Sequence, residues 1–222
     1  MNNWVYFTLE GTLIDERLAE EKAALFLLKD VLGLNLARRK HWAAIWSYTY
    51  QHFANTFCSE RESKEQIWLS MFQEFKPSLN KQECDALIPL FKSEYLRNLR
   101  AFSDVPEVLF RLIDCFQLGL ILPSKTTTRG DGDIPAGIGS LFNKIIYLPF
   151  KMSEEESASA QQLLLASHFE DTRLGKISLI SSDYDFLLGY EEMQHVLPIW
   201  LNRTTSKQSP KFRTITSLHE IL

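Results

Sequence analysis

Residues 4–15 read Trp4-Val5-Tyr6-Phe7-Thr8-Leu9-Glu10-Gly11-Thr12-Leu13-Ile14-Asp15. Val5, Tyr6 and Phe7 form a short apolar run of β-favouring side chains bounded by a Gly-Thr turn, the pattern of a buried strand. Beyond Asp15 the pattern changes to helical periodicity for about eighty residues. Leu18, Ala23, Leu27, Leu28 and Val31 mark an apolar face that ends near Gly33. A second helix is expected over 36–57, rich in Trp42, Trp46, Tyr48, Tyr50, Phe53 and Phe57. A third starts at a Ser63/Gln66 capping box, holds Ile67, Trp68, Met71, Phe72 and Phe75, and is stopped by Pro77. A fourth follows Leu79-Asn80 with Cys84, Leu87, Ile88, Leu90, Phe91, Tyr95 and Leu96.

Composition bounds what such a chain does. With 222 residues and 45% hydrophobic content it can bury one sizeable core and carry an insertion. A net charge of -4 and a pI near 5.8 argue against partners recognised by electrostatic attraction, nucleic acid and anionic membrane among them. Cys58, Cys84 and Cys115 are odd in number and widely spaced within helical patterns, and read as reduced structural residues. His41, His52, His168, His195 and His219 show no metal-ligand spacing, and the Trp and Tyr stripe at 36–57 reads as helix core rather than as a partner surface. The chain enters its first strand with no basic region and apolar run before it, and no stretch is apolar enough to span a bilayer, so a soluble cytoplasmic protein is expected. Past the helical stretch, strands and helices alternate, which argues for an α/β fold: a parallel sheet with helices on both faces.

The 4–15 stretch resembles the phosphatase signature of the haloacid dehalogenase superfamily, an apolar strand ending in Asp-x-Asp-Gly-Thr-Leu. Thr8 stands where that family has its nucleophilic aspartate, and Glu10 where it has the acid-base aspartate. The helices that follow resemble the family's C1-type α-helical cap, which covers the active site and selects the substrate. The resemblance therefore implies a Rossmann-like α/β core formed by 1–15 and 97–222, with a four-helix cap inserted at 16–96. Phe102 to Leu109 resembles the segment that feeds a helix back onto the core, carrying Leu109, Leu112, Ile113 and Phe116. Leu118 to Ser124 resembles the second core strand, Lys144 to Leu148 the third and Ile177 to Ile180 the fourth. Val196 to Arg203 resembles the last parallel strand, and Thr214 to Leu222 the closing strand and short helix of nucleotidase-like members.

The remaining family motifs are altered as well. The phosphate-binding hydroxyl at the end of the second strand falls on Leu122 by register from Gly119; a two-residue shift brings Ser124 to that place instead. Residues 124–138 are turn-forming and polar, a remodelled loop whose Arg-Gly-Asp triplet carries no meaning without secretion. Lys151, followed by a helix start at Ser153 to Glu156, matches the family's charge-neutralising lysine and equally matches a solvated lysine at a helix start. The magnesium-binding acids after the fourth strand admit three registers, on Ser182 with Leu187, on Ser181 with Phe186, or on Asp183 with Leu188, and none keeps both acids. Asp183 and Asp185 also suit the capping of the next helix.

The implied function is that of a catalytically degenerate haloacid dehalogenase-like protein acting as a binding, scaffold or regulatory protein. Its partner is a protein or a small ligand at the core–cap cleft, with no cofactor and no metal, although active relatives use Mg²⁺. The alternative is a hydrolase of phosphatase type with non-standard chemistry around Glu10, Lys151 and Asp183. Thr8, Glu10 and Lys151 are the candidate catalytic positions; Leu122, Ser124, Ser182 and Asp183 are the candidate binding positions.

Overall fold

Strand β1, Trp4–Thr8, is apolar on consecutive residues because both its faces are covered: Val5, Tyr6 and Phe7 are all buried. It lies inside a six-stranded sheet in which every neighbouring pair is parallel. The computed structural model describes residues 3–35, 46, 64–123, 134, 137–148, 165, 167, 175–204 and 208–222. The other strands are β2 (Gln117–Pro123), β3 (Lys144–Leu148), β4 (Ile177–Ser181), β5 (Val196–Leu201) and β6 (Arg213–Ile215), in spatial order β3-β2-β1-β4-β5-β6. The α/β fold class expected from the sequence is thus present.

The register distributes the core over the two faces. On one face Tyr6, Ile121, Ile146, Leu148, Ile177, Leu179 and Val196 pack with Leu165, Leu187, Tyr190 and Phe212. One residue along each strand, Phe7, Leu120, Ile180 and Ile199 are buried on the other face. Gly119 pairs with Tyr6, and a Cβ there would lie 2.1 Å from the Tyr6 ring, so β2 yields that volume to the tyrosine of its neighbour.

Two compact units are formed, one by Met1–Asp15 with Arg100–Leu222 and the other by Glu16–Leu99. In the first unit the outgoing and returning chains run side by side: Asp15 N–H donates to Arg100 O at 3.0 Å and Phe102 N–H to Leu13 O at 3.0 Å. The return leads into a short helix, Val105–Leu112, that buries Val105, Val108, Leu109 and Leu112. Ile113, expected on its buried face, is 39% exposed instead, because the helix ends at Leu112 and Ile113 is already its cap. A second short helix, Tyr184–Leu188, follows β4, and a 3₁₀ turn, Leu218–Ile221, closes the chain.

The second unit contains helices Glu16–Leu25, Lys64–Phe75 and Lys81–Asn98. The first continues into a π-helical stretch, Phe26–Val31. Leu27 and Leu28 are buried as expected, but Leu18 and Val31 are 43% and 41% exposed. The buried stripe runs through Ala19, Glu20, Ala23, Ala24, Leu27 and Leu28, which leaves Leu18 outside it, and the wider π turn carries Val31 off the face that a 3.6-residue period assigns it. The last helix is held by a capping box between Asn80 and Glu83. Trp46 is buried among Phe72, Phe75 and Phe91, with ring centroids 5.7 to 6.1 Å away, and Trp68 lies 4.6 Å from Phe91. Among these rings Glu20 is 6% exposed; burial pushes its pKa up to about 8, against a hydrogen bond from Trp68 that works the other way and with Glu21 adding to the rise. Cys84 and Cys115 are free thiols. The rest of the helix expected over 36–57, Ser63, Cys58, His41, His52 and His168 lie outside the described residues.

Candidate functional site

The order β3-β2-β1-β4 puts the point where the strand order reverses between β1 and β4, and in open parallel sheets the carboxyl ends of the strands at such a point are where ligands bind. Thr8 ends β1 and Ser181 ends β4, in adjacent strands whose register pairs Phe7 with Ile180. Their side-chain oxygens are 2.9 Å apart and share a hydrogen bond. Thr8 Oγ1 shares a second, at 2.8 Å, with Thr12 Oγ1.

Thr12 reaches this place because the chain after β1 folds into a tight turn. Leu9 O accepts from Leu13 N–H at 2.8 Å and from Ile14 N–H at 3.1 Å, and Gly11 sits at φ 65°. That left-handed backbone costs a residue with a side chain about 1–2 kcal/mol. A Cβ at Gly11 would also lie 2.5 Å from Ser182 Oγ, so the turn and the residue after β4 are in van der Waals contact only because position 11 is glycine. Ser182 Oγ donates to Glu10 O at 3.0 Å, Ser182 N–H donates to Thr12 Oγ1 at 2.8 Å, and Thr12 Oγ1 donates to Ser182 Oγ at 3.3 Å. Trp200 Nε1–H donates to Ser182 O at 3.2 Å and is itself packed edge-on by Tyr184. Thr8, Glu10 and Ser182 are half-buried, while Thr12 and Ser181 are fully buried.

A second cluster braces the same turn from behind. Arg203 donates to both carboxylate oxygens of Asp104, at 2.9 and 3.0 Å, and to Thr12 O at 3.1 Å. Asp104 also accepts from Ser217 Oγ and from Leu218 N–H, each at 2.9 Å, and the Arg203 guanidinium lies 4.1 Å over the Phe102 ring. Burial alone would raise the Asp104 pKa, but the bonds from Arg203, Leu218 and Ser217 together with the guanidinium charge hold it below the ordinary aspartate value.

Of the positions expected from the sequence, Thr8, Glu10 and Ser182 come together. Asp183 caps the helix Tyr184–Leu188, accepting from Phe186 N–H at 3.0 Å, the ordinary use of an aspartate in that place. Leu122 is buried one residue past Ile121, the β2 partner of Thr8, and side-chain alternation places it on the Phe7 face. Ser124, Lys151 and most of the 124–138 loop lie outside the described residues. Asp104 and Arg203 lie 99 residues apart in the chain, so no local spacing in the sequence marks them as partners.

Magnesium takes oxygen ligands in near-octahedral order and favours carboxylates. Among the described residues, the oxygens hydrogen-bonded around Thr8 are hydroxyls and the Glu10 carbonyl, which already accepts a hydroxyl proton. No group of three or more His, Cys, Asp or Glu suited to a metal ion occurs among the described residues. This donor set does not fit Mg²⁺.

No protein-family model and no curated protein matches the sequence. Solved structures do match. The chain is similar to the magnesium-bound HAD-hydrolase YfnB from Bacillus subtilis at a TM-score of 0.73 and 15% identity, covering 99% of this chain and 96% of that one. It is similar to L-2-haloacid dehalogenase from Xanthobacter autotrophicus at a TM-score of 0.64 and 11% identity, covering 100% and 97%. It is similar to the HAD phosphatase from Thermococcus onnurineus at a TM-score of 0.55 and 16% identity, covering 99% and 95%. Identities this low establish the fold and leave the chemistry to be argued from the residues. No helix among the described residues is long and apolar enough to cross a membrane.

Proposed function

We propose that this chain, which has the fold of the haloacid dehalogenase-like hydrolases, is a catalytically degenerate form that acts by binding, as a scaffold or regulator, and not as a Mg²⁺-dependent phosphatase. The observation that carries the reading is the hydrogen bond from Ser182 Oγ to Glu10 O at 3.0 Å. In the family pattern that carbonyl and the first acid after the fourth strand both serve the metal. Here a hydroxyl stands in the acid's place by the strand-anchored register and bonds the carbonyl directly.

The chemistry of Thr8 supports the same reading. An aspartate nucleophile makes an acyl phosphate, a mixed anhydride that water cleaves with help from an acid-base neighbour. A threonine makes an alkyl phosphate ester, which hydrolyses far more slowly, and it attacks only after a base has taken its proton. The described partners of Thr8 Oγ1 are two hydroxyls, neither of them a base near neutral pH. Glu10 is one methylene longer than the aspartate it replaces, which displaces the proton-transfer group. The unit Glu16–Leu99, inserted between Asp15 and Arg100, corresponds on this reading to the C1-type cap.

The test is turnover. Purified protein with millimolar Mg²⁺ is expected to leave aryl phosphates and nucleoside monophosphates at background, and Mg²⁺ to leave the melting temperature unchanged. A working site at ten times its Kd would add about 1.4 kcal/mol, or about 3–6 °C for a chain of this size. Sustained turnover that disappears in Glu10→Ala or Lys151→Ala would move the assignment to the rival hydrolase built on Glu10, Lys151 and Asp183.

A further inference from the structure

The hydroxyls of Thr8, Thr12, Ser181 and Ser182 carry one proton each, and counting those protons fixes the direction of every bond between them. Ser182 Oγ meets Glu10 O, a carbonyl that only accepts, so the Ser182 proton is spent there. Thr12 Oγ1 is then the donor to Ser182 Oγ at 3.3 Å. With its proton spent, Thr12 is the acceptor towards Thr8, and its two lone pairs are filled by Ser182 N–H and by the Thr8 hydroxyl. Thr8 has thereby used its own proton, so in the 2.9 Å bond between Thr8 and Ser181 the serine donates. Ser181 Oγ accepts in turn from Asp183 N–H at 3.0 Å.

Resting on the reading of this site as a binding site, we infer that the hydroxyls form a one-way chain, Ser181 to Thr8 to Thr12 to Ser182 to the Glu10 carbonyl, which shows a ligand only acceptors and therefore takes it through a primary ammonium or comparable N–H donor, not through a phosphoryl group. Thr8 and Ser182 are the half-buried members, and among the described residues each keeps a lone pair and no proton. A phosphate or carboxylate would bring its own lone pairs against them. An ammonium carries three donors and no acceptor, the complementary inventory.

The probes are methylammonium and orthophosphate, titrated into the full-length protein at matched ionic strength and followed by the amide resonances of Thr8, Ser181 and Ser182. Methylammonium is expected to give saturable shifts and orthophosphate none beyond those of sodium chloride. Thr8→Val keeps the shape, removes the lone pair and should weaken the methylammonium response about tenfold or more, the worth of one hydrogen bond to a charged group. Ser182→Ala supplies an independent check. Without its acceptor at position 182, the Thr12 proton turns to Thr8, whose own proton is released, so this variant should lose the methylammonium response and acquire one to orthophosphate. Saturable phosphate shifts in the unaltered protein, no saturation by methylammonium, or a Ser182→Ala variant with unchanged preference would each overturn the inference. Phosphate binding without turnover overturns the ligand class alone, whereas turnover of a phosphate ester overturns the binding reading itself.

Discussion

Replacing Asp104 by Asn tests whether the pair behind the turn holds the site together. The change keeps the side chain's size, removes its charge, and puts an amide N–H₂ where a carboxylate oxygen now accepts. Asp104 accepts four hydrogen bonds, two from Arg203 and one each from Ser217 and Leu218. Its side chain is 8% exposed and that of Arg203 15%, so water screens little of what is lost. Removing one partner of a buried pair leaves the other charge uncompensated and costs about 3–5 kcal/mol. For a chain of this size that is a fall in melting temperature of about 6–20 °C. Urea unfolding, followed by hydrogen exchange at the β1 and β4 amides, measures it in the α/β unit. Because the folded pKa of Asp104 lies below its ordinary 3.8, the pair's contribution is present above that pH and is lost as pH falls through the folded value. The difference between wild type and Asp104→Asn should therefore be constant near neutrality and close in strong acid. A double variant, Asp104→Asn with Arg203→Met, should cost less than the sum of the single changes, since it no longer strands a charge. A single-variant loss below about 1 kcal/mol, the size of a surface pair, would refute the brace.

Gly11→Ala should destabilise the α/β unit by about 1–3 kcal/mol, because the left-handed backbone and the 2.5 Å approach to Ser182 Oγ both penalise a Cβ; a melt matching wild type would show that the turn yields freely. Glu20 binds a proton more tightly in the folded state than at its ordinary 4.5, so its contribution to the Glu16–Leu99 unit is fully present below that value and is lost as pH rises through about 8. Glu20→Gln should flatten this dependence and be the more stable protein at pH 9, by on the order of a few kcal/mol. Denaturant melts of wild type and variant at pH 5 and 9 that fall by the same amount would refute it.

Much of this molecule is written locally. The Val5-Tyr6-Phe7 run needs no distant information to be read as a doubly covered strand, and Gly11 announces a turn. The box at Asn80 and Glu83 starts a helix within one turn of chain, and Asp183 caps the helix that begins beside it. Sequence alone also shows threonine at position 8 and glutamate at position 10, where the signature that this stretch resembles has aspartates. It could not say that Thr8 meets Ser181, a serine 173 residues away, which follows from β1 and β4 being neighbours with Phe7 opposite Ile180. Nor could it foresee the exposure of Leu18 and Val31, since helical periodicity predicts a face but not where a π turn shifts it. The Asp104–Arg203 pair and the direction of the hydroxyl chain belong to the tertiary structure for the same reason. Strand and helix preferences are settled by a residue and its near neighbours, whereas a hydrogen bond between the ends of two strands exists only once the sheet's order and register bring the two oxygens within reach of one proton.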